Sequence, residues 1–160
     1  MTSQTPNKIF LRVTISQQLL EIFQKNEDVL QLIAAYPISS SKFGLGTEPG
    51  SYKTPLGNFC IEEKIGESAP ERAIFEGRET TGRVATLGGE EDFVLTRILW
   101  LSGLDVENAN TRERYIYIHG TNQEDLIGTP ASHGCIRLNN HDMIELFDQV
   151  QQGDRVEIIV

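Results

Sequence analysis

The sequence predicts a mainly β fold with one helix near its C-terminal end, and three observations carry that expectation. Apolar and polar residues alternate through residues 9–15, and two more strand-like runs follow after short polar connections. A nearly continuous apolar stretch at residues 93–101 calls for a strand buried on both faces. Helical spacing is clear only beyond Asn140, where Met143, Leu146, Phe147 and Val150 stand at i, i+3, i+4 and i+7. A chain of 160 residues can bury one real core and is too short to expect two, so residues 1–160 read as a single domain.

In order, Ile9, Leu11, Val13 and Ile15 form the buried face of a first strand. Ser16-Gln17 connects it to LLEIFQ, and the polar turn Lys25-Asn26-Glu27-Asp28 leads to VLQLIAAYPI. Sequential strands with short turns imply an antiparallel meander. Residues 39–57 are rich in Ser, Gly, Thr and Pro and read as a groove wall or as a long connecting loop. They are not a phosphate loop, because no Gly-Lys-Ser/Thr closes them. Residues 58–64 form a strand in which Cys60 reads as a small buried apolar residue.

Residues 65–92, polar and glycine-rich with Pro70 and Gly88-Gly89, read as a lid or flap. In the following strand Trp100 is core or groove wall, and Arg97 is expected to be paired in a structural role. After a charged loop, YIYIH at residues 115–119 is a strand with Tyr115, Tyr117 and His119 on one face. Residues 122–126 suit one helical turn capped by Asn122 or Thr121. Asn140 is the expected N-cap of a helix over 141–151, ended by Gly153. Residues 155–160 close the chain as a strand, with Val156, Ile158 and Val160 on one face.

The chemistry concentrates in residues 115–140, which hold two of the three histidines and one of the two cysteines. His119 sits at a strand end just before Gly120, where side chains reach out of a sheet. Further on comes the turn Ser132-His133-Gly134-Cys135. A cysteine is nucleophilic as its thiolate, and a nearby imidazole takes the proton or stabilises the anion. Gly134 permits close backbone approach, and the amides around Cys135 suit a developing oxyanion. Arg137 offers a planar fork for a carboxylate. The stretch reads as a cysteine acyl-transfer site, with Ser132 and Gly134 as candidate oxyanion or pocket residues and Arg137 and Tyr117 as candidate substrate-binding residues.

These motifs also resemble a known family. HG at 119–120, then SHGC with an apolar residue and arginine after it, is similar to the signature of the YkuD-type L,D-transpeptidase catalytic domain. TPLGNF at 54–59 and LTRILWLSG at 95–103 match it as well, leaving roughly 65–92 as the poorly matching part. The resemblance implies a β-sandwich or barrel-like domain with its main helix after the cysteine. It implies Cys135 as nucleophile, His119 as base with its ring oriented by the Gly120 carbonyl, His133 lining the pocket, and Arg137 meeting a substrate carboxylate. The implied substrate is a peptidoglycan stem tetrapeptide, as a muropeptide, attacked at the L-centre of its diamino acid, usually meso-diaminopimelate, whose side chain ends in an amine and a carboxylate, with release of D-alanine. An amine or water then resolves the thioester. No cofactor is implied, and acylation of Cys135 by carbapenems is.

Two rival readings are weaker. His119, His133, Cys135 and His141 are possible zinc ligands, but H-x13-H-x-C-x5-H lacks a CxxC or HExxH pattern, so no metal is expected. A muropeptide-binding module without activity has no need of His119, Gly120 and Cys135 together. A net charge of −9 with no Lys/Arg-rich run argues against nucleic acid and anionic membrane partners. No apolar run is long enough for a membrane-spanning helix, so no membrane insertion is expected. MTSQTPNK lacks the apolar core of a secretory leader, which points to the cytoplasm, or to the periplasm if a leader has been removed. In the cytoplasm the expected activity is an L,D-carboxypeptidase of peptidoglycan recycling. In the periplasm it is a transpeptidase that forms 3-3 cross-links or attaches lipoprotein.

Overall fold

Alternating side chains become strands wherever one face can be buried, and the computed structural model, which describes residues 8–160, bears this out along most of the chain. The strands are β1 (Lys8–Thr14), β2 (Leu19–Asn26), β3 (Val29–Pro37), β4 (Gly57–Ile65), β5 (Ala73–Glu76), β6 (Glu79–Val84), β7 (Val94–Gly103), β8 (Tyr117–Gly120), β9 (Ile136–Leu138) and β10 (Arg155–Ile159). The one α-helix, α1, spans Asn140–Gln149. The fold is mainly β, as expected. No helix of the described residues is long and apolar enough to cross a membrane.

β1, β2 and β3 form the expected antiparallel meander. β10 returns from the chain end to pair with β1 in parallel, β4 adds antiparallel to β10, and β7 to β4. β7 then carries β8, and β9 lies parallel to β8. Past β3 the chain reaches β9: Ser39 N–H donates to Arg137 O at 2.9 Å and Arg137 N–H to Ser39 O at 3.0 Å. That pair closes the sheet on itself, which gives the barrel-like character.

Period-two alternation sorts the side chains of β7, β8 and β9 onto two faces. Leu99 and Leu101, Ile118, and Ile136 and Leu138 face the main core with Leu11, Val13, Ile22, Phe59, Ile61, Val156 and Ile158. Met143, Leu146, Phe147 and Val150, the expected face of α1, complete that core. Each is at most 4% exposed, so a truncation such as Leu99→Ala costs about 2–5 kcal/mol. The opposite face carries Ile98, Trp100 and Tyr117, packed with Ala73, Phe75 and the half-buried Cys135. The site lies on this second face.

Several local expectations need correction. The segment 65–92, expected as a long-loop lid or flap, carries regular structure, since β5 and β6 form a hairpin and β5 pairs with β7. Its buried Ala73, Ile74 and Phe75 are too short a run to stand out in a polar context. β8 begins at Tyr117, because Tyr115 takes a left-handed conformation (φ 56°) after a 3-10 turn. Tyr115 therefore does not share a strand face with Tyr117 and His119. Arg97 is structural but bonds main-chain oxygens of Ala69 (2.7 Å) and Thr96 (2.6 Å) rather than a carboxylate. Cys60 is half-buried rather than buried.

The caps differ too. The turn after β8 is a 3-10 helix at Glu124–Leu126 whose N-cap position is Gln123. Asn122 instead donates to the Gly88 and Glu91 carbonyls and accepts from Phe93 N–H. Asn139 rather than Asn140 holds the N-cap position of α1, which ends at Gln149, before Gly153. The side chain of Asn140 ties α1 to β7 and to the end of β8, accepting from Thr96 Oγ1 (2.6 Å) and donating to Thr121 O (2.7 Å). Val160 lies beyond β10 and is exposed.

Candidate active site

The parallel register of β8 and β9 assembles the sequence-predicted residues. Ile118 faces Ile136, His119 faces Arg137 and Gly120 faces Leu138. Because Ile118 and Ile136 point into the core, Tyr117 and His119 on one strand and Cys135 and Arg137 beside them point the other way. His119 and Cys135 are thus diagonal neighbours on one face, although 16 residues apart in sequence.

His119 is buried, and its Nδ1 lies 2.5 Å from the carbonyl oxygen of Gly120. Burial pushes its pKa down, against the nearby Asp92 carboxylate and the Gly120 carbonyl, which push it up. The ring is therefore neutral near pH 7. A neutral imidazole facing a carbonyl through Nδ1 carries its proton there, which leaves Nε2 as a bare acceptor. Gly120 must be glycine: a Cβ would lie 2.4 Å from Asn140 Oδ1 and 2.9 Å from Leu95 O.

The Cys135 sulfur receives Tyr117 N–H at 3.3 Å and lies 3.4 Å from Tyr115 O. Burial dominates its titration and, against the Tyr117 amide and the Arg137 and Arg114 charges, pushes it up to about 12. The resting group is a thiol. No hydrogen bond joins it to His119 among the described residues, so proton transfer waits on a reorganised, occupied site. The turn before it is fastened from both sides. Ser132 Oγ donates to Cys135 O (2.7 Å) and accepts from Gly134 N–H (3.2 Å), while Thr54 Oγ1 donates to Gly134 O (2.9 Å). Gly134 has φ +125°, a conformation that favours glycine. Its amide is engaged by Ser132, which corrects the expectation that it is free for an oxyanion.

Arg137 departs most from expectation. Its side chain is fully buried, and its guanidinium donates to Asp92 Oδ1 (3.0 Å), Gln123 Oε1 (2.6 Å) and Ser39 Oγ (3.0 Å). A guanidinium held this way is not presented to a substrate carboxylate. Asp92 also binds Nδ1 of the exposed His133 at 3.0 Å. His133 has Phe43 and Tyr52 of the 39–57 segment within 5.9 Å, between ring centroids. Burial pushes the Asp92 carboxyl up, but His119, the His133 bond and Arg137 outweigh it and hold the carboxyl below its ordinary value. Sequence reasoning missed Asp92 because it stands in a run of acids, Glu90-Glu91-Asp92, with nothing to single it out. No three His, Cys, Asp or Glu of the described residues converge as metal ligands, and His141 stands apart beside Glu71 and Glu145.

A family described as YkuD, L,D-transpeptidase catalytic domain, matches residues 8–158. YqjB of Bacillus subtilis is 42% identical over 60 residues, which is 37% of this chain and 32% of that protein. "Probable L,D-transpeptidase ErfK/SrfK" of Escherichia coli is 54% identical over 46 residues, 29% of this chain and 15% of that protein. The matched segments thus span a third or less of these relatives. Among solved structures, an L,D-transpeptidase from Mycobacterium smegmatis aligns with a TM-score of 0.62 at 17% identity, over 96% of this chain and 59% of that one. The LD transpeptidase LdtMt1 in complex with imipenem aligns at 0.59 and 18% identity, over 96% and 59%. At such identities the likeness is one of fold.

Proposed function

The chain belongs to the YkuD family of L,D-transpeptidase catalytic domains, and from that premise we propose that residues 1–160 act as one catalytic domain for cysteine acyl transfer on peptidoglycan stem tetrapeptides. One observation carries the reading. The β8–β9 register puts Cys135 and His119 on one face, and the Nδ1 contact with Gly120 O leaves Nε2 free to take a proton.

The donor is the carbonyl of the L-centre of the diamino acid that precedes D-alanine. As Cys135 Sγ attacks, its proton passes to His119 Nε2 and a C–S bond forms. With Gly134 N–H held by Ser132, oxyanion stabilisation falls to Cys135 N–H. Collapse breaks the C–N bond, the proton on His119 goes to the departing amine, and D-alanine leaves. His119 then deprotonates the acceptor that releases the thioester. An amine acceptor gives a cross-link or exchange product, and water gives a tripeptide. His133, oriented by Asp92 and flanked by Phe43 and Tyr52, lines the pocket. Arg137 acts as a positioning residue, holding Asp92 in place.

The test is product analysis by mass spectrometry of a disaccharide-tetrapeptide, with and without excess D-amino acid or a second muropeptide. Cys135→Ala is the control. Loss of D-alanine to tripeptide with every acceptor makes the protein an L,D-carboxypeptidase, the form suited to recycling in the cytoplasm. Exchange products or dimers make it a transpeptidase. Absence of any Cys135-dependent product refutes the proposal. LdtMt1 has been solved with imipenem, and acylation of Cys135 by a carbapenem is expected here as well.

A further inference from the structure

With Arg137 internally paired, the site needs another cation if its substrate is anionic, and the β5–β6 hairpin supplies one. Phe75 pairs with Thr80 and Glu76 with Glu79, so the loop is the two residues Gly77-Arg78. Both have positive φ, 56° and 67°, which such loops ordinarily meet with Asn, Asp or Gly. An arginine held there is a costly choice and asks for a reason.

Its position supplies the reason. The Arg78 guanidinium stands 4.6 Å from the ring centroid of Trp100 and 5.4 Å from that of Tyr115, and Nη1 donates to Tyr117 Oη at 3.3 Å. The main-chain N–H of the same Tyr117 holds the Cys135 sulfur. Arg78 therefore lies one tyrosine side chain from the nucleophile. Among the described residues no carboxylate pairs with it, whereas Arg112, over the same Trp100, is paired with Glu63 at 2.8 Å. Arg114, whose charge reaches Cys135 as that of Arg137 does, is held by the Lys53 and Gly46 carbonyls. Aromatic faces orient the Arg78 fork, and apart from the Nη1 bond to Tyr117 its N–H groups have no hydrogen-bond partner among the described residues.

We propose that Arg78 is a specificity residue that binds the side-chain carboxylate of the donor's diamino acid. The span argues for that carboxylate. A diamino-acid side chain from the attacked carbonyl to its distal carboxylate is about as long as the tyrosine that separates Cys135 from Arg78. The terminal carboxylate of D-alanine, a few bonds from the scissile bond, is too short to reach. The inference rests on the proposed function for the identity of the donor.

Its test is binding, so that it reads out whether or not turnover occurs. Two tetrapeptides differing only in a free or amidated distal carboxylate are titrated by calorimetry into Cys135→Ala, with and without Arg78→Gln or Arg78→Lys. The free acid is expected to bind about tenfold or more tightly than the amide, as a charge-assisted hydrogen bond gives. Arg78→Gln is expected to abolish that preference by weakening the free acid, and Arg78→Lys to restore part of it. A preference that survives Arg78→Gln, or equal weakening of both peptides, overturns the inference. Product formation by the Cys135-containing protein is measured separately, and its absence counts against the acyl-transfer reading rather than against Arg78.

Discussion

Asp92→Ala tests the electrostatic frame of the site. It removes the carboxylate from an arginine whose side chain is 0% exposed, and the acceptor from His133. Removing one partner of a buried ion pair costs about 3–5 kcal/mol, because the other charge stays buried. Asp92 is itself 18% exposed, and Arg137 keeps Gln123 and Ser39, so the lower end applies, about 3 kcal/mol. For a chain of this size that lowers Tm by about 6–12 °C. Asp92→Asn keeps hydrogen-bonding capacity and loses only charge, so its loss is smaller. The pH dependence has a definite sign. A carboxyl held below its ordinary value of 3.8 contributes stability that is full above that pH and lost as the pH falls through the folded-state value. The advantage of wild type over Asp92→Asn therefore shrinks on acidification below 3.8. Urea unfolding from neutral to acid pH measures both effects. An Asp92→Ala variant within about 0.5 kcal/mol of wild type at neutral pH would refute the reasoning.

Three further outcomes are expected. Alkylation of Cys135 by iodoacetamide should be slow at neutral pH and climb without a plateau well into the alkaline range, since burial pushes the thiol up to about 12; a plateau near neutrality would reveal a preformed thiolate–imidazolium pair instead. Gly120→Ala should lose about 1–3 kcal/mol in urea unfolding, because its Cβ would come within 2.4 Å of Asn140 Oδ1, and unchanged stability contradicts the packing described. Ser132→Ala removes the bonds to Cys135 O and Gly134 N–H and should cost about 1–3 kcal/mol by the same measurement.

Much of the fold was legible because the sequence signals were local. Alternation in IFLRVTI and in LLEIFQ needs no partner to be read, and the same rule put Tyr117 and His119 on one face. The helix face from Met143 to Val150 followed from its spacing. What escaped depends on contacts between distant segments. β5 is four residues long and is buried by β7, which its own sequence does not disclose. The Gly77-Arg78 loop lacks the Asn-Gly signature that would have marked a hairpin. The fork of Arg137 was recognised, but whether it faces substrate or protein was settled by Asp92, 45 residues earlier. Thr96, with φ +77° beside the β7 bulge, is held by Asn140 and Arg72, and alternation alone predicts no such break.

The central claim, that Cys135 is an acylated nucleophile served by His119, meets its most direct test in intact-protein mass spectrometry after brief exposure to a carbapenem. A single adduct of the inhibitor's full mass is expected, mapped to the peptide containing Cys135, slowed in His119→Ala and absent in Cys135→Ala. No adduct, or one that persists in Cys135→Ala, would contradict the account.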